Sequence, residues 1–379
     1  MKILHISDTH LGYSAYRKLT EENINQREMD NYLSFEKVID KTLLIKPDIV
    51  IHSGDLFDSV RPNNRAITIS IKQILRLSEN DIPFIIISGN HEQPKLKETG
   101  HIFSIFEHIK NVYPVYKLEY EKFQFSINGE SIKIHAIPQT LSKEDFINNL
   151  NKIKLDSNKD FNILILHGAI KGIKEFKMNE FNELIIPDNY LKKKFDYIAL
   201  GHYHKYSKIS NNCQYSGSTE HFSFSESKDE KGFIEIILKK NNINTKFIKI
   251  KNRDMLDLKP INCKNLNLEQ IMESIELKIK KNNPKDKILR IKIENIPIEL
   301  YRGIDFEKIK NLCKNATHYE IKVDIENKTD EKIIQNSRIN SISREYKDFI
   351  NNKNLKEKKL LLELGMKYIE KIESKNDNK

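Results

Sequence analysis

The stretch MKILHISDTHLGY (residues 1–13) sets the reading of the chain. KILHIS (2–7) is a short β-like run, and it ends at once in Asp8 and His10. Residues two apart share one side of an extended strand end, so both side chains can reach a common ligand. The arrangement recurs. DIVIHSG (48–54) leads to Asp55, PFIIISG (83–89) to Asn90 and His91, FNILIL (161–166) to His167, and DYIALG (196–201) to His202 and His204. SIKIHAIP (131–138) is a further strand-like run. Residues 27–45 and 64–80 space their apolar side chains at helical intervals, and 98–110 is read the same way. Strand, helix, strand order predicts a layered α/β domain. In open α/β sheets, sites form outside the carboxyl ends of the strands. Five strands therefore aim polar residues at one place.

The chemistry of those residues is specific. Two carboxylates, an amide oxygen and four or five imidazoles form a mixed N/O donor set that suits manganese, iron or zinc. No thiolate is among them, which argues against a structural zinc site. A carboxylate in the middle can bridge two ions ~3.5–4 Å apart, the arrangement that serves in-line phosphoryl displacement. One Asp-x-His or His-x-His alone is commonly a solvated loop; the weight lies in five such segments, each after a β-like run. Tyr203, between two of the histidines, is expected to point the other way, into packing. His5, His52 and His135 lie inside strand runs and read as core or supporting residues.

Composition narrows the class. No stretch approaches the ~18 consecutive apolar residues of a membrane span. Residues 1–12 do not read as a signal peptide, because His5 and Asp8 break the apolar run. Three widely spaced cysteines (Cys213, Cys263, Cys313) give no disulfide framework, which fits a reducing, cytoplasmic setting. The net charge is +10, and residues 251–379 hold 29 Lys and Arg against 22 Asp and Glu. That excess fits a polyanionic partner such as nucleic acid. A coding bias towards Lys, Asn and Ile would also produce it. Beyond residue 250 the pattern changes: helices are predicted over 266–283 and 305–315, strands over 287–296 and 318–327. A polar, Asn- and Lys-rich stretch follows, then an amphipathic helix or helix pair over 355–375.

The ordered segments D8-x-H10, G54-D55, G89-N90-H91-E92, H167-G168 and G201-H202-x-H204 resemble the calcineurin-like metallophosphoesterase superfamily. HISDTHLGY, R27-E-x-D-x-Y-x-S-F, SGDLFD, SGNHE, ALGHYHK and YSGSTE narrow the resemblance to the Mre-eleven double-strand-break repair nucleases, SbcD in bacterial nomenclature, of archaeal type. The likeness is strong over residues 1–240 and weak beyond. It implies a layered metallophosphoesterase β-sandwich flanked by helices, with a small α/β capping domain and a C-terminal helical segment. The boundaries expected are 1–250 for the nuclease domain, 251–328 for the DNA-binding cap, and 329–379 for a linker and C-terminal helices that bind an ATPase.

The resemblance further implies a pair of divalent ions, with Mn²⁺ favoured. Asp8, His10, Asp55 and His204 are implied as ligands of one, Asp55, Asn90, His167 and His202 as ligands of the other. His91 is implied as the catalytic residue, outside the coordination shell, helping the 3′ oxygen to leave. Many members carry a second histidine three residues after the bridging Asp; this chain has Asp58 instead, expected at most to lend support. Implied partners are DNA, duplex and single-stranded, an SMC-like Rad-fifty/SbcC ATPase bound by the C-terminal helix, and a second copy of the chain packed through residues 64–80 and 98–110. The implied location is cytoplasmic and nucleoid-associated, with no membrane. Two rival readings stand beside the nuclease: a small-substrate metallophosphoesterase such as a nucleotide phosphodiesterase, and a DNA-end tethering scaffold with a silent metal site.

Overall fold

The computed structural model describes residues 1–155, 160–170, 184–191, 195–240, 242–326, 346, 350 and 358–376. Two six-stranded sheets face each other. The first contains β1 (Lys2–Ile6), β2 (Ile49–His52), β3 (Phe84–Ile87) and β4 (Val112–Val115), all parallel. The second is built on β5 (Glu121–Ile127), β6 (Glu130–Ala136) and β7 (Asp160–His167). A two-stranded sheet of β8 (Ala169–Ile170) and β9 (Ile185–Ile186) follows. The second sheet is completed by β10 (Tyr197–Gly201), β11 (Ser207–Ser210) and β12 (Cys213–Tyr215). The hairpin β13 (Gly232–Lys239) and β14 (Asn242–Lys249) returns to the first sheet, antiparallel to β1.

Why these runs form buried strands follows from their two-residue period. In β1 and β2, Ile3, Ile49 and Ile51 face the layer between the sheets, while Leu4, Ile6 and Val50 face outward. In β7 and β10, Ile163, Ile165, Tyr197 and Ala199 face inward, while Leu164, Leu166, Ile198 and Leu200 face the opposite surface. Both faces are covered, so the runs are almost wholly apolar. Helices α1 (Gln26–Ile45) and α2 (Asn64–Glu79) cover the outside of the first sheet. Each begins at an asparagine, Asn25 and Asn63, whose side chain accepts main-chain N–H groups of the first turn, a cap of ~1 kcal/mol.

The segment 98–110 differs from the sequence reading. It forms short 3₁₀ turns, Lys97–Thr99 and Ile102–Phe106, in place of a helix. Gly100 between them takes a left-handed conformation (φ +67°), which breaks any continuous helix. Phe103 and Phe106, three residues apart, stay on one side through the 3₁₀ turn and are fully buried. The C-terminal helix runs Lys358–Asn376.

A third sheet carries β15 (Met255–Asp257) and β16 (Ile261–Asn262) on one edge of β17 (Ile288–Ile296), and β18 (His318–Ile325) also pairs with β17. Helix Leu268–Asn282 begins with a reciprocal capping box between Asn267 and Gln270 and buries Ile271, Ile275 and Ile279. This sheet falls in one compact unit with the sandwich, residues 1–324. The joint is ionic and largely buried. Asp30 accepts from Arg253 through both carboxylate oxygens at 2.6 and 2.7 Å, and from Arg27 at 2.8 Å. Arg27 also donates to Glu220 at 3.3 Å. Removing one member of such a buried set leaves an uncompensated charge and costs ~3–5 kcal/mol.

Residues 325–379 form a second unit. Of the expected linker and C-terminal helices over 329–379, only residues 346, 350 and 358–376 are described; the rest lies outside the described residues, as does Lys192–Lys194. The Tyr346 hydroxyl donates to the Leu361 carbonyl at 2.7 Å, against the helix at Gly365.

Candidate metal centre

The parallel strands β1, β2 and β3 end on the same side of their sheet, and β7 and β10 do so in theirs, with His167 opposite Gly201. The loops that follow are stitched together. Asp8 N–H donates to the Gly54 carbonyl, and His10 N–H to the Asp55 carbonyl, both at 3.0 Å. Asp8, His10, Asp55 and His202 all adopt positive φ, from 48° to 102°. Left-handed backbone at a residue with a Cβ costs ~1–3 kcal/mol, and persists where the surroundings fix it. Here it turns each side chain off the strand direction and into the cleft.

The two glycines that precede Asp55 and Asn90 are steric necessities. A Cβ on Gly89 would overlap the Asp55 carboxylate, and one on Gly54 would overlap the His167 ring.

Asp55 is 2% exposed and stands at the centre. Its Oδ1 accepts the His91 main-chain N–H at 3.0 Å. Its Oδ2 lies 3.2 Å from His167 Nε2 and 3.8 Å from His10 Nε2. Asp8, fully buried, accepts His202 N–H at 3.0 Å and the Ser7 hydroxyl at 2.5 Å. His10 Nε2 and His204 Nε2 are 3.1 Å apart. Asn90 Oδ1 is 2.9 Å from His167 Nε2 and 3.2 Å from His202 Nδ1. Donor atoms of Asp8, His10 and His204 lie within 4.8 Å of one another, as do those of Asp8, Asp55 and His167, and of His10, Asp55 and His91.

The structure thus brings together all seven side chains expected as ligands. Its grouping differs in emphasis from the implied partition: Asp8 reaches both sets, as Asp55 does, and His91 stands within the same reach as His10 and Asp55. Nitrogen and oxygen atoms converge without a thiolate, and imidazole nitrogens face each other at 3.1 Å, a separation that a shared cation relieves. The donor chemistry therefore fits divalent ions.

Electrostatics point the same way. Burial pushes the Asp55 carboxyl up, but His167, His10 and His91 outweigh it and hold the group well below the usual carboxylate range. Burial pulls His167 down, while Asp55, Asp8 and the Ser53 carbonyl overcome that and push it up to about 10. Burial dominates at His10, which is lowered despite Asp58 and Asp55. Glu92 is raised well above its ordinary value by burial and by the charge of Asp55.

Several supporting residues were not singled out from the sequence. His167 Nδ1 lies 2.8 Å from the Ser53 carbonyl, so that nitrogen is the donor and Nε2 faces Asp55. Glu226 Oε1 lies 3.2 Å from His204 Nδ1, and Lys231 donates to the His204 carbonyl at 2.8 Å. Burial pushes Glu226 up, but Lys231 and His204 hold it well below the usual range. Phe222 packs edge-on against His10 and His204, with ring centroids at 4.9 and 5.1 Å. Nothing in local spacing marks these residues, since they reach the cleft only through folding.

Other residues fall as follows. Tyr203 is buried against Tyr215. His5 bonds Tyr197 and Ser53, and His52 bonds Thr9; burial lowers both to about 3. His135 bonds Tyr120 and Asn162. Tyr13 donates to the Phe222 carbonyl, and Tyr16 stacks on His318 with centroids 3.7 Å apart. Asp58 Oδ1 lies 3.4 Å from His10 Nδ1 and 3.7 Å from His91 Nδ1.

Comparison with known proteins agrees with this geometry. Residues 1–206 match the calcineurin-like phosphoesterase family. The chain is 32% identical over 334 residues to the DNA double-strand break repair protein Mre11 of Sulfolobus acidocaldarius, covering 85% of this chain and 82% of that one. It is 36% identical over 249 residues to Mre11 of Methanococcus maripaludis, covering 61% and 60%. It is 28% identical over 371 residues to the SbcD subunit of the SbcCD nuclease of Staphylococcus saprophyticus, covering 91% and 94%. The chain belongs to the calcineurin-like phosphoesterases, the metallophosphoesterases that use a dinuclear metal site, and within them to the Mre11/SbcD proteins. No described helix is long and apolar enough to cross a membrane.

The raised His167 value has a measurable consequence. Ligation needs the neutral ring, so ion binding displaces its proton below about pH 10. Calorimetry at pH 7.5 in buffers of different ionisation enthalpy is expected to give net proton release, with affinity rising with pH. The metal-free protein behaves oppositely. A histidine whose folded value exceeds the unfolded 6.5 stabilises fully below ~6.5 and loses that contribution as pH rises towards about 10. Proton uptake on binding, or metal-free stability that does not fall over that interval, would contradict the assignment.

Proposed function

We propose that this chain is a manganese-dependent DNA nuclease that processes double-strand breaks, acting 3′→5′ on duplex ends and as an endonuclease on single strands. The observation that supports this best is the meeting of two donor sets around Asp55, in a chain that aligns over 334 residues with a double-strand break repair protein. Asp8, His10, Asp55 and His204 would hold one ion, and Asp55, Asn90, His167 and His202 the other. A bound pair neutralises a phosphodiester and supplies activated water for in-line displacement.

The remaining work falls to the chain. Asp55, held by His91 N–H, lies between the two sets. Ser53 and Glu226 present Nε2 of His167 and His204 to the cleft. The His91 ring is 31% exposed and so reaches the mouth. Its Nδ1 donates to the Asp58 carbonyl at 3.1 Å, which leaves Nε2 as the atom that would serve the leaving 3′ oxygen. With a second proton on the ring, as imidazolium, Nε2 would give that proton to the departing alkoxide and leave the ring neutral, a step worth ~10²–10⁴ in rate.

Residues 251–328 would serve as the cap that helps select DNA structure, using phosphate contacts that read no sequence. Residues 329–379 would tether the chain to a Rad-fifty/SbcC-type ATPase. Leu360, Leu361, Leu364 and Tyr368 of the terminal helix, each more than 40% exposed, support a docking role. A homodimer through α2 and the adjoining turns draws support from Leu75, 38% exposed; Ile74, Phe103 and Phe106 are core residues and contribute nothing to it.

End-labelled linear DNA with Mn²⁺ tests the activity. Wild type is expected to cleave, and His91→Ala and Asn90→Ala to cleave at least ~10²-fold more slowly. Hydrolysis of nucleotides without cleavage of DNA would favour the small-substrate reading, and wild type no faster than the variants would favour the scaffold. Deletion of residues 350–379 is expected to abolish co-purification of the ATPase and spare single-strand cleavage; retained co-purification rejects the docking role. Sedimentation at micromolar concentration is expected to give a dimer, and a monomer would count against that interface.

A further inference from the structure

Residues Phe222 to Glu226 touch two parts of the molecule at once. On one side is His204. Glu226 Oε1 sits 3.2 Å from His204 Nδ1, and its other oxygen takes the Lys231 ammonium at 2.6 Å. Lys231 in turn donates to the His204 carbonyl and to Ser218 Oγ, both at 2.8 Å. Carboxylate and ammonium therefore grip ring and main chain of the same residue. The Lys231 side chain is 0% exposed and that of Glu226 11%, so solvent does not compete strongly for either. The carboxylate is itself held by Ser223 Oγ at 3.2 Å and by Phe222 N–H at 3.3 Å.

On the other side is the third sheet. Phe224, 6% exposed, is clustered with Met255 of β15 and Ile288 of β17. The Arg290 guanidinium lies over its ring, 4.6 Å from the centroid, and is fixed there by Asp257 at 2.7 and 3.0 Å. A single residue, Ser225, separates the anchor from the carboxylate in sequence. A displacement of the third sheet is thus passed to Glu226 with little chain to absorb it.

We propose that Glu226 is a positioning residue for His204, fixing its Nδ1–H tautomer so that Nε2 faces the first ion, and that Phe224 hangs this fixation on the third sheet. The inference rests on the two-ion reading of the centre. An outer partner of a ligating histidine is typically worth 10–100-fold in metal affinity. Glu226 is not a catalytic residue in this scheme; it acts only through His204.

The test is Mn²⁺ binding to the full chain, followed by electron paramagnetic resonance and calorimetry, without DNA. His204→Ala and Asn90→Ala serve as markers for the two ions. Glu226→Ala is expected to weaken the event lost in His204→Ala by ~10–100-fold and to leave the event lost in Asn90→Ala within about threefold. Glu226→Gln keeps the accepting oxygen and is expected to restore most of that affinity. It also serves as the control should the alanine variant fold poorly. Phe224→Ala is expected to weaken the same event as Glu226→Ala. Two events of wild-type affinity in Glu226→Ala overturn the positioning role while leaving the two-ion reading intact. Equal weakening of both ions also overturns it, as does a Gln variant no better than Ala. A wild-type titration without two events overturns the two-ion reading and the positioning role with it.

Discussion

A carboxylate buried at the tip of a strand organises this molecule. Asp55 cannot be left alone in an interior, because a buried charge needs compensation from neighbours. The chain provides it from segments far apart in sequence: the His91 main chain, the His167 ring and the His10 ring. Each partner requires a particular strand end to be where it is. The sheet order and the absence of a side chain at Gly54 and Gly89 all serve that convergence. Backbone strain is concentrated here as well, at Asp8, His10, Asp55 and His202. Stability is given up at the cleft and recovered in the apolar layers behind it.

Much of this was legible beforehand, for a physical reason. Strand runs buried on both faces leave continuous apolar stretches, and polar residues at their ends stand out against them. Asp8, Asp55, Asn90, His167 and His202 could therefore be read in order. The helices over 27–45 and 64–80 were legible because their apolar residues recur on one face. The segment 98–110 misled because Phe103 and Phe106 suit a 3₁₀ turn as well as a helix, and Gly100 decides between them only through its backbone angle. Glu226, Lys231 and Phe222 left no trace at the level of spacing. Their role comes from the packing of the 216–231 region against the cleft, which no local period encodes.

Asp58 illustrates how one departure from a family pattern is accommodated. Its carboxylate faces the Nδ1 atoms of both His10 and His91, at 3.4 and 3.7 Å. A histidine in that position would bring a hydrogen-bond donor to the cleft, whereas aspartate brings an acceptor beside two imidazoles. The local charge is thereby shifted towards holding rings in place.

The ion-pair joint of Arg27, Asp30, Glu220 and Arg253 has a consequence of its own. Mobile ions in solution weaken attractions between exposed charges over a Debye length of ≈ 8–10 Å, but reach enclosed pairs far less. Arg27 and Glu220 are each about 1% exposed, Asp30 7%, and Arg253, which reaches Asp30 from the third-sheet side, 18%. Raising ionic strength should therefore screen exposed lysines and arginines long before it slackens the joint between sandwich and third sheet. Surface electrostatics and internal geometry are, in this architecture, governed by separate dials.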